Sequence, residues 1–211
     1  MRRPRFIAKQ ARHAKGPLGR LIAFIMARET WAQNHRAIDA LAVEAGDHVL
    51  DLGCGHGRSL AALAALAPKG RVVGADPSEL MAEIAAQRNR ALVRAHRVDV
   101  AVASADRLPF ADAAFHKAMC VHVVYFWTDL DGPLAEIARV LKPGGRLALL
   151  FRTAADKAIQ AFPVEVYRFR TLQEIVSGLE RAGFAVDVPE GAVALQSSGP
   201  ILLTASNRGA R

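Results

Sequence analysis

Short apolar runs and longer stretches with a spacing of three and four take turns along most of this chain. Val49-Leu50-Asp51-Leu52 has strand length and opens straight into glycines. Leu60, Leu63 and Leu66 then mark one face of an Ala-rich helix that Pro68 and Gly70 close. Residues 71–75 read as a second strand, followed by Asp76-Pro77 and a helix over about 78–91. Val98, Val100 and Val102 alternate as a third strand, and a fourth runs over 116–121. The next helix, over about 130–141, stops at Lys142-Pro143-Gly144-Gly145, and 146–151 forms a fifth strand. Thr171 and Glu174 have the spacing of a capping box, and the helix they begin ends at Gly183. Residues 184–188 and 201–204 complete the set of strands.

Strands that alternate with helices imply an α/β fold, a mostly parallel sheet covered by helices on both faces. The last two strands lack an intervening helix long enough for a crossover, so that pair is expected to be antiparallel. Ahead of this body, Leu21, Phe24, Ile25, Arg28, Trp31 and Ala32, continued by Ile38, Leu41 and Ala42, predict a helix over 20–45. Gly16-Pro17 and Gly19 make residues 1–19 read as a loosely ordered arm. The domain organisation expected is an arm and helical cap over 1–45 and an α/β domain over 46–211.

Charge sharpens the division. The formal excess of +8 lies within the first 36 residues, which hold nine basic residues and one acid, Glu29. The body is balanced, so the basic character belongs to the arm. With 52% apolar and 23% charged residues the composition is that of a globular domain. No apolar run approaches the roughly 18–20 residues that span a bilayer. Cys54 and Cys120 form neither a zinc spacing nor a disulfide framework and read as reduced thiols; with no spanning run and no signal-peptide pattern, a cytoplasmic protein is expected.

Val49-Leu50-Asp51-Leu52-Gly53-Cys54-Gly55-His56-Gly57 carries the chemistry. Glycines at a strand-to-helix turn let a ligand approach the main chain, and ligands of such sheets bind beyond the carboxyl ends of the strands. Asp76, at the end of the next strand, suits the two hydroxyls of a ribose. A dinucleotide fingerprint requires a small residue where this chain has Arg58, and close helix packing on a pyrophosphate leaves no room for that side chain.

The segment resembles motif I of class I S-adenosylmethionine (SAM) dependent methyltransferases. Val73-Gly74-Ala75-Asp76-Pro77-Ser78 resembles their second motif. Leu108-Pro109-Phe110 with Phe115, and Glu136-Ile137-Ala138-Arg139-Val140-Leu141-Lys142-Pro143-Gly144-Gly145-Arg146-Leu147, resemble the methyltransferase type 11 group, which includes quinone-biosynthesis-like enzymes. The matches run in order over about 47–151. The resemblance implies a Rossmann-like, seven-stranded sheet of order 3-2-1-4-5-7-6 with an N-terminal helical cap. It implies that Gly53, Cys54 and Gly55 face the methionine part of SAM, with Asp51 at its amino group or an ordering water. Asp76 would hold the ribose, Pro77 and Ser78 would flank the adenine, Ser104 and Ala105 would lie at its edge, and Cys120 would offer its carbonyl near the ammonium. Ser104 stands where the group often has Asp, with Asp106 as a substitute, and His116 stands where the group usually has Asp, a change expected to affect local packing.

Methyl transfer is an in-line displacement, so positioning dominates and a base is needed only for a nucleophile that starts protonated. The candidates past the fourth strand are His122 as base, Tyr125, Trp127 and Asp129, with Arg152 and Thr153 beyond the fifth as pocket residues. The implied function is methyl transfer to a small, apolar or amphipathic acceptor. Methylation of RNA or protein recruited by the arm, and a non-catalytic SAM-binding or partner-binding role, stand as alternatives. For the arm, a lid over the cofactor with Trp31 in contact, an anionic-membrane contact and a nucleic-acid contact all stand.

Overall fold

The computed structural model describes residues 5–16, 19–20, 30–192 and 198–209. Seven strands form one sheet: β1 (His48–Leu52), β2 (Arg71–Asp76), β3 (Val98–Val102), β4 (Phe115–Val121), β5 (Leu141–Phe151), β6 (Phe184–Asp187) and β7 (Ile201–Asn207). Their order is β3-β2-β1-β4-β5-β7-β6. The first five are parallel to one another, and β7 runs antiparallel to both β5 and β6. This is the expected Rossmann-like arrangement. Register sets the site: Asp51 lies beside Gly74 and Leu52 beside Ala75, so the end of β1 and Asp76 at the end of β2 share one edge.

The helices are α1 (Arg5–Arg12), α2 (Trp31–Leu41), α3 (Arg58–Leu66), α4 (Glu79–Arg88), α5 (Arg90–Arg94), α6 (Asp131–Val140) and α7 (Leu172–Arg181). Strand alternation divides the core into two layers. Leu147 and Leu149 of β5 and Ala118 and Cys120 of β4 pack with Leu134, Ile137, Ile175 and Leu179 of α6 and α7. The intervening Ala148 and Met119 face the other way, against Ala37, Ile38 and Leu41 of α2 and Leu60 and Leu63 of α3. Helix α2 therefore covers the sheet as one of its packing helices.

Four local outcomes differ from the sequence expectation. Residues 1–19 were expected as a loosely ordered arm, yet Arg5–Arg12 is helical with Ala8 buried in the core, and beyond it the Ala14 carbonyl accepts from the Ser78 hydroxyl at 2.8 Å. Of the helix expected over 20–45, Leu21, Phe24, Ile25 and Arg28 lie outside the described residues, and the described part ends at Ala42, in the left-handed region at φ 49°. The helix expected over 78–91 breaks at Asn89, a buried residue whose amide donates to the carbonyls of Gly57 and Ala85, both at 2.8 Å. Strand β5 begins earlier than expected, taking in Lys142-Pro143-Gly144-Gly145 with an irregularity opposite Phe115–Lys117. The Thr171–Glu174 capping box forms as its spacing predicts. Among the described residues, no helix is long and apolar enough to cross a membrane.

Candidate functional site

The turn after β1 is held to the neighbouring strand: Gly53 and Cys54 both donate to the Ala75 carbonyl, at 2.7 and 3.1 Å. Gly53 has φ 76°, and a Cβ there would lie 2.1 Å from a Val123 methyl. Gly55 has φ 52°, and a Cβ there would meet no atom within 4 Å. The first position is closed by its neighbour, the second open toward a ligand.

Beyond the carboxyl ends of β1 to β4 lies a cavity of about 440 Å³. Its walls hold Gly53, Cys54, Gly55, Asp76, Pro77, Ser78, Ser104, Ala105 and His122, all singled out from the sequence. Asp51, Cys120 and Tyr125 are absent from the lining. Asp51 is 2% exposed and accepts from the Ser59 hydroxyl. Burial lifts its pKa to about 7, the Ser59 bond opposes this, and the charge of Asp76 adds to it. Cys120 is fully buried, and burial drives its thiol pKa upward, as it does that of Cys54, so neither is a thiolate. Tyr125 sits in a short 3₁₀ turn, Val124–Phe126, that directs its ring against Phe126, Tyr167 and Phe169.

Asp76 is 8% exposed, and each carboxylate oxygen accepts one backbone N–H: Oδ1 from Ser78 and Oδ2 from Gly55, both at 2.9 Å. A carboxylate oxygen takes about two hydrogen bonds, so each retains capacity for a ligand hydroxyl. Burial raises the Asp76 pKa, against the two amides and the nearby His13. Ser104 donates its hydroxyl proton to Asp106. That bond leaves the lone pairs of the hydroxyl to accept, and Ser104 lines the cavity while Asp106 is absent from its lining.

Of the other sequence candidates, two line the cavity and the rest are absent from its walls. Trp31 and Trp127 line it, and the Arg58 guanidinium stacks 4.0 Å over the Trp31 ring. Arg152 pairs with the buried Asp156 at 2.5 Å, Thr153 is fully buried, and Asp129 accepts from the Gly132 amide. His116 accepts from the His48 amide at 2.9 Å, a packing contact at the start of β1. The sequence reading missed Gln10, His13 and Ala14, which line the cavity from the N-terminal segment. An unbroken stretch without Gly or Pro over 5–15 was the available signal.

Residues 50–149 match the model of a family described as "Methyltransferase domain". Methyltransferase GfsG of Streptomyces halstedii is 40% identical over 111 residues, 53% of this chain and 40% of that protein. Demethylmenaquinone methyltransferase of Symbiobacterium thermophilum is 35% identical over 128 residues, 60% of this chain and 51% of that protein. The chain thus spans about half or less of the length of these curated relatives. Geranyl diphosphate C-methyltransferase from Streptomyces coelicolor A3(2), solved with Mg2+, geranyl-S-thiolodiphosphate and S-adenosyl-L-homocysteine, shares the fold. Its TM-score is 0.67 at 20% identity, over 83% of this chain and 75% of that one.

Proposed function

We propose, from the match of residues 50–149 to a methyltransferase domain model, methyl transfer from SAM to a small apolar or amphipathic molecule. One observation carries this: a single cavity joins a polar wall of Asp76, Ser104 and the Gly53–Gly55 turn to an apolar wall of Val121, Val123, Phe126 and Trp127. The polar wall fits SAM. Asp76 would take the ribose hydroxyls, Ser104 the adenine edge, and the open backbone at Gly55 the methionine part. When bound, SAM supplies an activated methyl group on a sulfonium. The protein binds, aligns and excludes water, and the apolar wall orients the acceptor. Two similar proteins are named for amphipathic molecules, demethylmenaquinone and geranyl diphosphate, which supports this acceptor class.

Calorimetric titration with SAM, S-adenosylhomocysteine and NADH tests the reading. Binding of the first two and none of NADH is expected; binding of NADH alone overturns it.

A second observation supports an anionic membrane surface as the arm's partner. Phe6 and Val164 are 55% and 79% exposed, and their chain neighbours Arg5 and Glu165 form an ion pair at 2.5 Å. An apolar knuckle beside the basic arm suits delivery of an apolar acceptor from lipid.

A further inference from the structure

His122 lines the cavity with its backbone in the left-handed region, at φ 60°. Its Nδ1 lies 2.9 Å from the Tyr125 hydroxyl and its Nε2 2.5 Å from Oε1 of Gln33 on α2. The directions of these bonds follow from the far end of the chain of contacts. The Arg152 amide can only donate, and it donates to the Tyr125 oxygen at 2.5 Å. A phenol has one proton, and that of Tyr125 is then directed to His122 Nδ1. A neutral imidazole that accepts at Nδ1 carries its proton on Nε2, toward the Gln33 carbonyl. Tyr125 is 4% exposed, and burial raises its pKa further, so the phenol stays protonated.

We propose that Tyr125 is a positioning residue that locks His122 as the Nε2–H tautomer. His122 then meets the methyl acceptor as a hydrogen-bond donor and takes no proton from it. Such a donor suits an acceptor that needs no base, and it best holds an oxyanion already formed near neutral pH, such as that of an acidic phenol or an enolised diketone. This acceptor class rests on the methyl-transfer reading above; the tautomer does not. Its oxyanion replaces Gln33 as the partner of Nε2–H. Transfer then moves no proton: the O–C bond forms as the S–C bond of SAM breaks, and that electron pair stays on sulfur.

A second cavity histidine behaves alike. His56 Nδ1 accepts the Arg58 amide at 3.2 Å, and burial with the charge of Arg88 lowers its pKa to about 4, so it too is a neutral donor at Nε2. His13 also lines the cavity, and its charge acts on Asp76.

The test is nitrogen NMR of the full chain labelled with 15N-histidine at neutral pH, with His122→Gln used to assign the His122 signals. The expected result is an unprotonated Nδ1 and a protonated Nε2, moving toward a mixture of tautomers in Tyr125→Phe. An Nδ1–H form or an imidazolium in the unaltered protein overturns the proposal, whether or not Tyr125→Phe folds. The measurement needs no cofactor, so failure of SAM to bind beside the expected tautomer sinks the methyl-transfer reading alone. With an acidic phenol as acceptor, His122→Gln, which keeps a donor and cannot act as base, should retain activity within about tenfold. A loss of roughly 100-fold or more, the usual worth of a general base, refutes the donor role.

Discussion

The Gly55 amide donates to Oδ2 of Asp76 at 2.9 Å, tying the turn after β1 to the last residue of β2. The carboxylate that would receive the ribose thus also shapes the loop that would face the methionine part. Removing it costs both. Hydrogen bonds to a charged group contribute about 1.5–3 kcal/mol each, so Asp76→Ala should weaken SAM binding by roughly 100-fold or more. Asp76→Asn retains one acceptor oxygen and should fall between. Calorimetry checks the order, and undiminished affinity in Asp76→Ala removes the ribose from this position.

Asp51 gives a pH signature. Its folded pKa of about 7 stands above the usual 3.8 because the carboxyl is buried, with the Asp76 charge adding to the effect. Between these values the folded protein holds a proton that the unfolded chain has released. Stability contributed by this group therefore falls as pH rises from about 4 to about 7, by on the order of a few kcal/mol. Asp51→Asn keeps an acceptor for the Ser59 hydroxyl and carries no charge. It should melt higher than the parent at pH 8 and show a flatter pH dependence of stability over that window. Parallel melting curves for parent and variant from pH 5 to pH 8 would count against a raised pKa.

Gly53 and Val123 form a matched pair. A Cβ at Gly53 would lie 2.1 Å from the Val123 Cγ1 atom, and φ is 76°. Left-handed backbone costs a non-glycine residue about 1–2 kcal/mol, and overpacking adds about 1–3 kcal/mol. Gly53→Ala should lower the melting temperature strongly. Adding Val123→Ala to it removes the clashing methyl and should recover the packing part, leaving the backbone part. Strict additivity of the two substitutions in a double-mutant cycle would show that they do not meet.

What the chain disclosed in advance was what period and punctuation encode. The alternation of Val98, Val100 and Val102, the Leu60–Leu63–Leu66 stripe and the Thr171–Glu174 box are local patterns, and the strand, helix and cap formed where expected, although Leu66 and Val102 at the ends of their patterns are exposed. Asp76 and Ser104 were legible because they follow strand ends that must share one edge of the sheet. The misplacements have a common cause in contacts remote along the chain. Ser78 meets Ala14 across 64 positions, and His122 meets Gln33 across 89. No spacing rule reveals that a basic N-terminal segment will wall a cavity. Tyr125 was a catalytic candidate because it lies past the fourth strand, but the 3₁₀ turn packs its ring against Phe126, Tyr167 and Phe169, and its hydroxyl accepts from the Arg152 amide.

The N-terminal segment supplies the last prediction. Six of the first fifteen residues are Lys or Arg, while Phe6 stands 55% exposed on α1 and Val164 79% exposed beside the partner of Arg5. Near an anionic surface each such cation contributes about 1 kcal/mol, screened by salt, and buried apolar side chains add a part that salt does not screen. The full chain should therefore co-sediment with vesicles of phosphatidylserine and phosphatidylcholine and not with phosphatidylcholine alone. Replacing both Phe6 and Val164 by Ser should leave a weaker attachment that moderate salt abolishes. Deletion of residues 1–19 is a poorer test, because Gln10, His13 and Ala14 also wall the cavity and their loss disturbs cofactor binding as well. If the chain ignores anionic vesicles yet is retained on RNA with a steep salt dependence, the arm recognises phosphate backbones and the acceptor class must be sought among nucleic acids.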